Sequence, residues 1–530
     1  MKRLPSLSLS ILSGALLGLA WLPSCTALIF FAFVPLLLAE ENLSNSFDAK
    51  RKKLKLTGLS FLSFFIWNLA STWWIVYASA GGAAMAVFSN SFLMCTVFML
   101  YHNAAARINK PWTIWLLIPL WMGFEYLHTI WDISWTWLTL GNVFAFQNSW
   151  VQWYEFTGTC GGTLWVLLVN ILITKLILKM PVPKKELTRQ SLIIIGFLAF
   201  PLCVSFFLTG ESKQKAKGID VMVVQPNVDP YNDKFVLEPE IQLEALLKQL
   251  EGKLDANVDY LVLPETFLTE NIWESQLQES YSIQFLKENI IKKFPKLKIV
   301  SGANTLYAYK NEKPSVTARK FSNTDEYYDY FNSAIQIDST PVVQIYHKSK
   351  LVPGVEKMPF PTLFKPLEKL AIDLGGTTGS LGIQEERTVF SSGSVKIAPV
   401  ICYESVYGEF VGGYLKKGAN LIFIVTNDGW WEDTPGYKHH LAYGALRAIE
   451  TRTPIARSAN TGISCFIDRN GMVSQATGWW EKAVIRATLQ PNDELTFYVK
   501  YGDLLSKAAT ILAIAIILIS NFLRFKKRWS

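Results

Sequence analysis

Eight apolar segments constrain what this chain can fold into, at about 7–24, 26–40, 57–78, 82–102, 111–130, 160–179, 191–209 and 504–523. A helix needs roughly 17 to 25 apolar residues to cross a hydrocarbon core about 30 Å thick. Seven of the segments crowd into the first 210 residues, with 13 of the 19 tryptophans. Only Pro23, Ser24 and Cys25 separate the first segment from the short second one, so the two are expected as a tight hairpin or a partly re-entrant pair. Of the whole chain, 50% is apolar and 18% charged, against about 25% charged in ordinary soluble domains. That balance excludes a disordered chain and argues against a wholly soluble one. The expected organisation is a membrane part over 1–210 with about seven transmembrane helices, a soluble part over 211–503, and a closing span with a basic tail over 504–530.

The net charge of +8 does not point to nucleic acid. Its excess sits in short clusters beside apolar segments, such as Lys50–Lys53 and Arg524–Arg528, an arrangement that anchors helices at a membrane face. Positive charge beside spans marks the cytoplasmic side. Lys2 and Arg3, the basic 41–56 stretch, Arg107 with Lys110, and Lys184 with Lys185 and Arg189 all fall on one side, whereas 131–159 has neither Lys nor Arg. Both termini are thus expected in the cytoplasm and the soluble part outside. The N-terminus also reads as a lipoprotein signal ending at Cys25, although Pro23 beside the cleavage site disfavours it.

Cys25, Cys95, Cys160 and Cys203 accompany apolar segments, leaving Cys402 and Cys465 in the soluble part. They form no CxxC pair, and no ligand cluster accompanies them, so no zinc site is expected. The pair admits one disulfide in an oxidising compartment, at the cost of both thiols. His439 and His440 are adjacent on a helical stretch, point in different directions and read as structural, not metal-binding.

The soluble part alternates short apolar strands, such as Tyr260–Leu263, Val395–Ile401 and Leu421–Val425, with helical stretches at 238–253, 280–293 and 437–452, the pattern of an α/β layer fold. The strand Val395–Ile401 runs straight into Cys402, placing a thiol at a strand end; a buried core cysteine is an equal reading. Glu265 follows a second strand and Lys348 a third. A thiol nucleophile needs a base, and its tetrahedral intermediate needs a cation or dipoles at the oxyanion. Cys402, Glu265 and Lys348 supply those three roles.

Leu263-Pro264-Glu265-Thr266, Tyr346-His347-Lys348 running on to Pro353, and Ile401-Cys402-Tyr403-Glu404 resemble the three motifs of the nitrilase superfamily, in its Glu, Lys, Cys order. With the leading spans, the closing span, Thr426–Trp431 and Arg457–Ile463, nearly the whole chain is similar to the apolipoprotein N-acyltransferase family. The resemblance implies a multispan α-helical membrane domain joined to a four-layer α-β-β-α sandwich. It implies a bacterial inner-membrane enzyme with a periplasmic catalytic domain and no metal or organic cofactor. The implied partners are a phospholipid acyl donor and an S-diacylglyceryl apolipoprotein acceptor, linked by an acyl thioester on Cys402. Rival readings are a membrane-tethered amidase using the same three residues and a catalytically silent lipoprotein-binding scaffold.

By the same resemblance Glu356 and Glu404 are supporting carboxylates, or else either is a surface charge or a loop-fixing acceptor. Tyr403 is a pocket tyrosine or a core aromatic. Glu125, Asn427 and Trp430 are candidate substrate contacts, as are Phe360 and Phe364 in the stretch 351–376, which mixes aromatics with lysines. That stretch is expected as an arm on the membrane, or as core packing. One departure stands out: the family has a functional Trp shortly after the first strand of this domain, where this chain has Lys234-Phe235.

Overall fold

The computed structural model describes residues 4–44, 49–209, 217–309, 314–357 and 380–529. Two compact units emerge, Met1–Gly210 with Tyr501–Ser530, and Glu211–Lys500.

In the first unit, six helices among the described residues are long and apolar enough to cross a membrane: Thr26–Leu43, Arg51–Tyr77, Ala80–Ile108, Thr159–Lys179, Lys184–Leu208 and Leu504–Lys526. The helix Ser6–Leu19 has 14 residues, about 21 Å at 1.5 Å per residue, short of the hydrocarbon thickness, and Leu117–Ile130, also of 14 residues, directly continues the 3-10 helix Thr113–Leu116. The basic stretches expected as loops become the first turns of helices starting at Ala49 and Lys184. Lysine permits this because its methylenes lie along apolar surface while the ammonium stays in water.

The second apolar segment is broken, a 3-10 helix Thr26–Phe31 followed by an α-helix from Val34, with Pro35 in its first turn. A break in lipid must have its backbone groups paired internally. Ser13 donates to the Ala32 carbonyl at 2.6 Å, the Phe33 N–H donates to Asn170 Oδ1 at 2.8 Å, and Asn170 Nδ2 donates to the Ile29 carbonyl at 2.9 Å. Polar residues inside apolar segments therefore repair the backbone here.

The second unit is built on strands β1 (Ile219–Gln225), β2 (Tyr260–Val262), β3 (Leu268–Trp273), β4 (Lys298–Tyr309), β5 (Arg319–Lys320), β6 (Tyr327–Ile337), β7 (Gln344–His347), β8 (Phe390–Ser392), β9 (Val395–Ile401), β10 (Leu421–Thr426), β11 (Ile455–Ala459), β12 (Cys465–Ile467), β13 (Val473–Ser474) and β14 (Ala483–Leu489). One sheet has the order β14-β1-β2-β4-β6-β5, with β3 on β4 and β7 on β6; the other runs β13-β12-β11-β10-β9-β8. Alternation of side chains across each strand sorts the layers. Met222, Val224, Leu261 and Ile299 pack with Leu243, Leu246, Ile283 and Leu286 of the outer helices Pro239–Leu250 and Tyr281–Leu286. From the opposite face of β2, Tyr260 meets Phe423 of β10 ring to edge at 5.4 Å, and Ser458 of β11 donates to the Val224 carbonyl at 2.8 Å. The helix Pro435–Thr451 covers the other sheet, its Gly444 lying against Ile424. The expected four-layer α-β-β-α sandwich is present. Pro399 is accommodated within β9 because β8 pairs only with Val395–Ile397.

Topology brings the chemistry to one end. Strands β1, β2 and β4 run parallel, as do β9, β10 and β11; β7 is antiparallel to β6, which is antiparallel to β4, so β7 runs with β2. Residues leaving the carboxyl ends of β2, β7, β9 and β10 are therefore gathered where open α/β sheets bind ligands.

In the first unit, a Cβ at Gly141 would lie 1.8 Å from the Thr159 carbonyl oxygen, with no flexible atom to yield. Gly141→Ala is expected to lower the unfolding temperature of the purified protein, by the roughly 1–3 kcal/mol of core overpacking or more; an unchanged melting curve in detergent would contradict that packing.

Candidate active site

Cys402 directly follows β9 and opens a 3-10 turn through Val406. Its φ is +48°, a left-handed conformation that costs a non-glycine residue free energy and persists only where its surroundings enforce it. Those surroundings are hydrogen bonds on both sides of the thiol. Ser405 donates its hydroxyl to the Cys402 carbonyl at 2.8 Å, and His440 Nε2 lies 3.0 Å from the same oxygen. The His440 ring is held in turn by Asp428, whose Oδ1 is 2.9 Å from Nδ1, while Arg457 donates to Asp428 Oδ2 at 2.6 Å. Burial opposes charge on Asp428, but Arg457 and His440 overcome it and bring its pKa down to about 2. Both predicted histidines are buried, and His440 braces the cysteine turn.

Glu404 forms the second brace. Its carboxylate accepts from Ile401 N–H at 2.9 Å, Ser349 N–H at 2.7 Å and the Tyr346 hydroxyl at 2.5 Å. It thus ties the cysteine turn to the segment that follows β7 and carries Lys348. Burial raises the Glu404 pKa to about 7 despite these donors.

Lys348, 1% exposed, sits between two carboxylates: Nζ is 2.9 Å from Glu265 Oε1 and 2.7 Å from Glu356 Oε1. Asn332 of β6 donates its amide to the same two oxygens at 2.8 and 3.1 Å, and the Val352 N–H donates to Glu356 Oε2 at 2.8 Å. Burial would raise Glu265 and lower Lys348; their mutual attraction, joined at Lys348 by Glu356, prevails, so the Glu265 pKa lies below its ordinary value and that of Lys348 well above. The Cys402 thiol behaves oppositely. Burial first, then the Glu265 charge, push its pKa well up against the pull of Lys348. The resting site holds a neutral thiol, a carboxylate able to take its proton, and an ammonium.

Glu265 rests on a tight contact. Thr266 has φ +46°, and a Cβ at Gly302 of β4 would fall 2.4 Å from the Thr266 nitrogen and 2.5 Å from Glu265 Cα. Only glycine lets β4 pass beneath Glu265.

The other expected residues are spread more widely. Tyr403 is buried and packs edge-on to Tyr407 at 5.2 Å. Asn427 is buried, its Oδ1 accepting from Asn460 Nδ2 at 3.1 Å; among the described residues its Nδ2 has no hydrogen-bond partner. Trp430 packs against Tyr231 at 5.1 Å. Phe360 and Phe364 lie outside the described residues. In the other unit, Glu125 accepts from Trp121 Nε1 at 3.0 Å, Leu140 N–H at 2.8 Å and Thr163 Oγ1 at 2.6 Å, tying three segments together. Cys402 and Cys465 are both free thiols. Sequence reasoning passed over Asn332, the contact of His440 with the cysteine turn, and Lys234. None carries a short motif; the signal they left is a polar residue inside or just beyond a buried stretch.

The family model for carbon-nitrogen hydrolases matches residues 220–494, all fourteen strands but the first residue of β1 included. The chain belongs to the carbon-nitrogen hydrolase family. Residues 13–172 match the model of the apolipoprotein N-acyltransferase N-terminal domain, so the resemblance seen in the motifs is borne out over both parts. A curated relative named apolipoprotein N-acyltransferase from Chlorobaculum tepidum is 28% identical, covering 94% of this chain and 93% of its own. Relatives of the same name from Thermotoga maritima (27%; 98% and 95%) and Geobacter metallireducens (26%; 96% and 94%) are similar over equally long stretches.

The Glu404 pKa has a consequence for stability. Its folded value of about 7 exceeds the ordinary 4.5, so its protonation favours the folded state below the lower value, and that contribution is lost as pH rises through the upper one. The melting temperature of wild type relative to Glu404→Gln should therefore fall between about pH 5 and pH 8; a constant difference would contradict the buried setting.

Proposed function

We propose that this protein is an apolipoprotein N-acyltransferase, which moves an acyl chain from a membrane phospholipid to the α-amino group of an N-terminal S-diacylglyceryl cysteine. The observation that carries this reading is the meeting of Glu265, Lys348 and the Cys402 turn in one buried site, in a chain whose first part matches that family's N-terminal domain.

The reaction follows from the charges. Glu265 accepts the Cys402 proton as sulfur attacks the ester carbonyl; the C–S bond forms and the carbonyl electrons move onto oxygen, beside the Lys348 ammonium. Collapse breaks the C–O bond, Glu265 returns the proton to the departing alkoxide, and lysophospholipid leaves an acyl thioester. In the second half the acceptor amine attacks the thioester, Glu265 takes its proton, the C–N bond forms and the C–S bond breaks. The proton then returns to sulfur, restoring the thiol. An amine is a better match for a thioester than for an oxygen ester, so order is built into the chemistry. Glu356 orients Lys348, and Glu404 holds the two loops in register. Asn427, Trp430 and Tyr403, with Phe360 and Phe364, are proposed substrate contacts. The helices that can span a membrane and the one-sided basic residues support an inner-membrane location with the catalytic unit outside the cytoplasm.

Intact-protein mass spectrometry tests the reading. Wild type incubated with defined phospholipid should gain one acyl chain, lose it to a diacylglyceryl-cysteine peptide and release lysophospholipid, while Cys402→Ser gains none. Absence of any adduct in folded protein, with ammonia released from simple amides, would move the amidase reading ahead; binding of the peptide with neither would favour the scaffold. Lys348→Met should slow loading by roughly 100- to 1000-fold, as loss of an oxyanion donor does, measured as adduct formed in a single turnover.

A further inference from the structure

The turn that follows β1 delivers a second lysine to the site. Lys234 is 1% exposed, and its Nζ donates to the backbone carbonyl of Glu265 at 2.7 Å. The turn is built to insert it. The Lys234 N–H donates to the Asp229 carbonyl at 2.9 Å, Gln242 Nε2 donates to the Lys234 carbonyl at 2.8 Å, and the Asp229 carboxylate gathers Tyr231 N–H and the Asn232 amide. An ammonium has three donors; one is used on a neutral carbonyl, and no hydrogen bond within the described residues takes the other two.

A buried ammonium with only a neutral partner is costly unless opposite charge lies close. Here the Glu265 carboxylate supplies it, countering a burial that alone would lower the lysine further than its pKa of about 8. Lys348 alone faces two carboxylates. With Lys234 the buried cluster has two cations for Glu265 and Glu356, and it stays balanced when the thiol proton moves to Glu265 and a negative charge appears on sulfur or on the oxyanion.

We propose that Lys234 is a positioning residue of the acyl-transfer site, fixing the turn of the base through the Glu265 carbonyl and balancing the second carboxylate as negative charge develops at Cys402. The inference rests on the reading of Cys402 as nucleophile. Lys234→Met, which keeps the length and removes the charge, and Lys234→Arg, which keeps the charge, would be compared in the full chain in detergent. Two rates would be read: acyl loading of Cys402 from phospholipid, and alkylation of Cys402 by iodoacetamide, followed on its peptide by mass spectrometry.

Both rates should fall roughly ten- to a hundred-fold in Lys234→Met, the range of a charge-assisted hydrogen bond. The phospholipid KM should stay near that of wild type, and Lys234→Arg should recover part of both rates. Wild-type alkylation in Lys234→Met, or no recovery in Lys234→Arg, would overturn the proposal. Lys234→Gln replaces Lys234→Met if that variant does not fold; failure of both neutral variants to fold would assign Lys234 to stability alone and also overturn it. Alkylation needs no phospholipid. Slowed alkylation in Lys234→Met beside a wild type that never loads acyl would thus sink the acyl-transfer reading and leave the place of Lys234 at the thiol standing.

Discussion

The ion pair between Lys348 and Glu265 is the contact on which the catalytic unit depends. Two charges with side chains 1% and 7% exposed cannot persist there without dense pairing. Every additional partner comes from a different place: Asn332 from β6, Glu356 from beyond β7, the Glu265 turn from β2. Removing either charge would strand the other, at a cost of about 3–5 kcal/mol for a buried pair. The mixed sheet follows from this need, because only a β7 that turns back along β6 returns Lys348 to the end where β2 releases Glu265.

The same pair sets the resting state of the Cys402 thiol. A thiolate beside Glu265 would add negative charge to a buried cluster that already carries two carboxylates, so sulfur keeps its proton in the resting site. On the proposed acyl-transfer reading, reactivity appears only when the proton has somewhere to go and the new charge lies on the substrate oxygen. The strain of the cysteine turn belongs to the same design: φ of +48° aims the sulfur off the end of β9, while Ser405, His440 and Glu404 hold the backbone there.

Much of this was legible in the sequence where apolar strands end abruptly in polar tripeptides. Leu261–Glu265 and Val395–Cys402 show a buried run and then a residue of the candidate site. Strands failed to announce themselves where their side chains serve other ends. The β11 strand is wholly buried yet carries Arg457 and Ser458, which bond Asp428 and the Val224 carbonyl, so its apolar pattern is broken by function. The edge strand β14 is half-exposed along most of its length and offers no alternation to read. The helix Gly408–Lys416 hides behind Gly412 and Gly413, which lower its propensity. Asn332 lies within an eleven-residue strand, and nothing local distinguishes it from a surface asparagine; its meaning exists only once β4, β6 and β7 are in register.

In the membrane unit the rule that an intramembrane carboxylate marks function meets a competing demand. Helices there are interrupted at Ala32–Phe33 and after Ile130, and each interruption frees backbone groups that lipid cannot satisfy. Ser13 and Asn170 answer the first. Glu125 serves the start of the next helical turn, accepting the Leu140 N–H and Trp121 Nε1 on one oxygen and Thr163 Oγ1 on the other. A carboxylate with three internal donors within 3.0 Å has little acceptor capacity left for a ligand. Its geometry favours a tie between segments, and the polar residues of these helices are explained first by the backbone they repair.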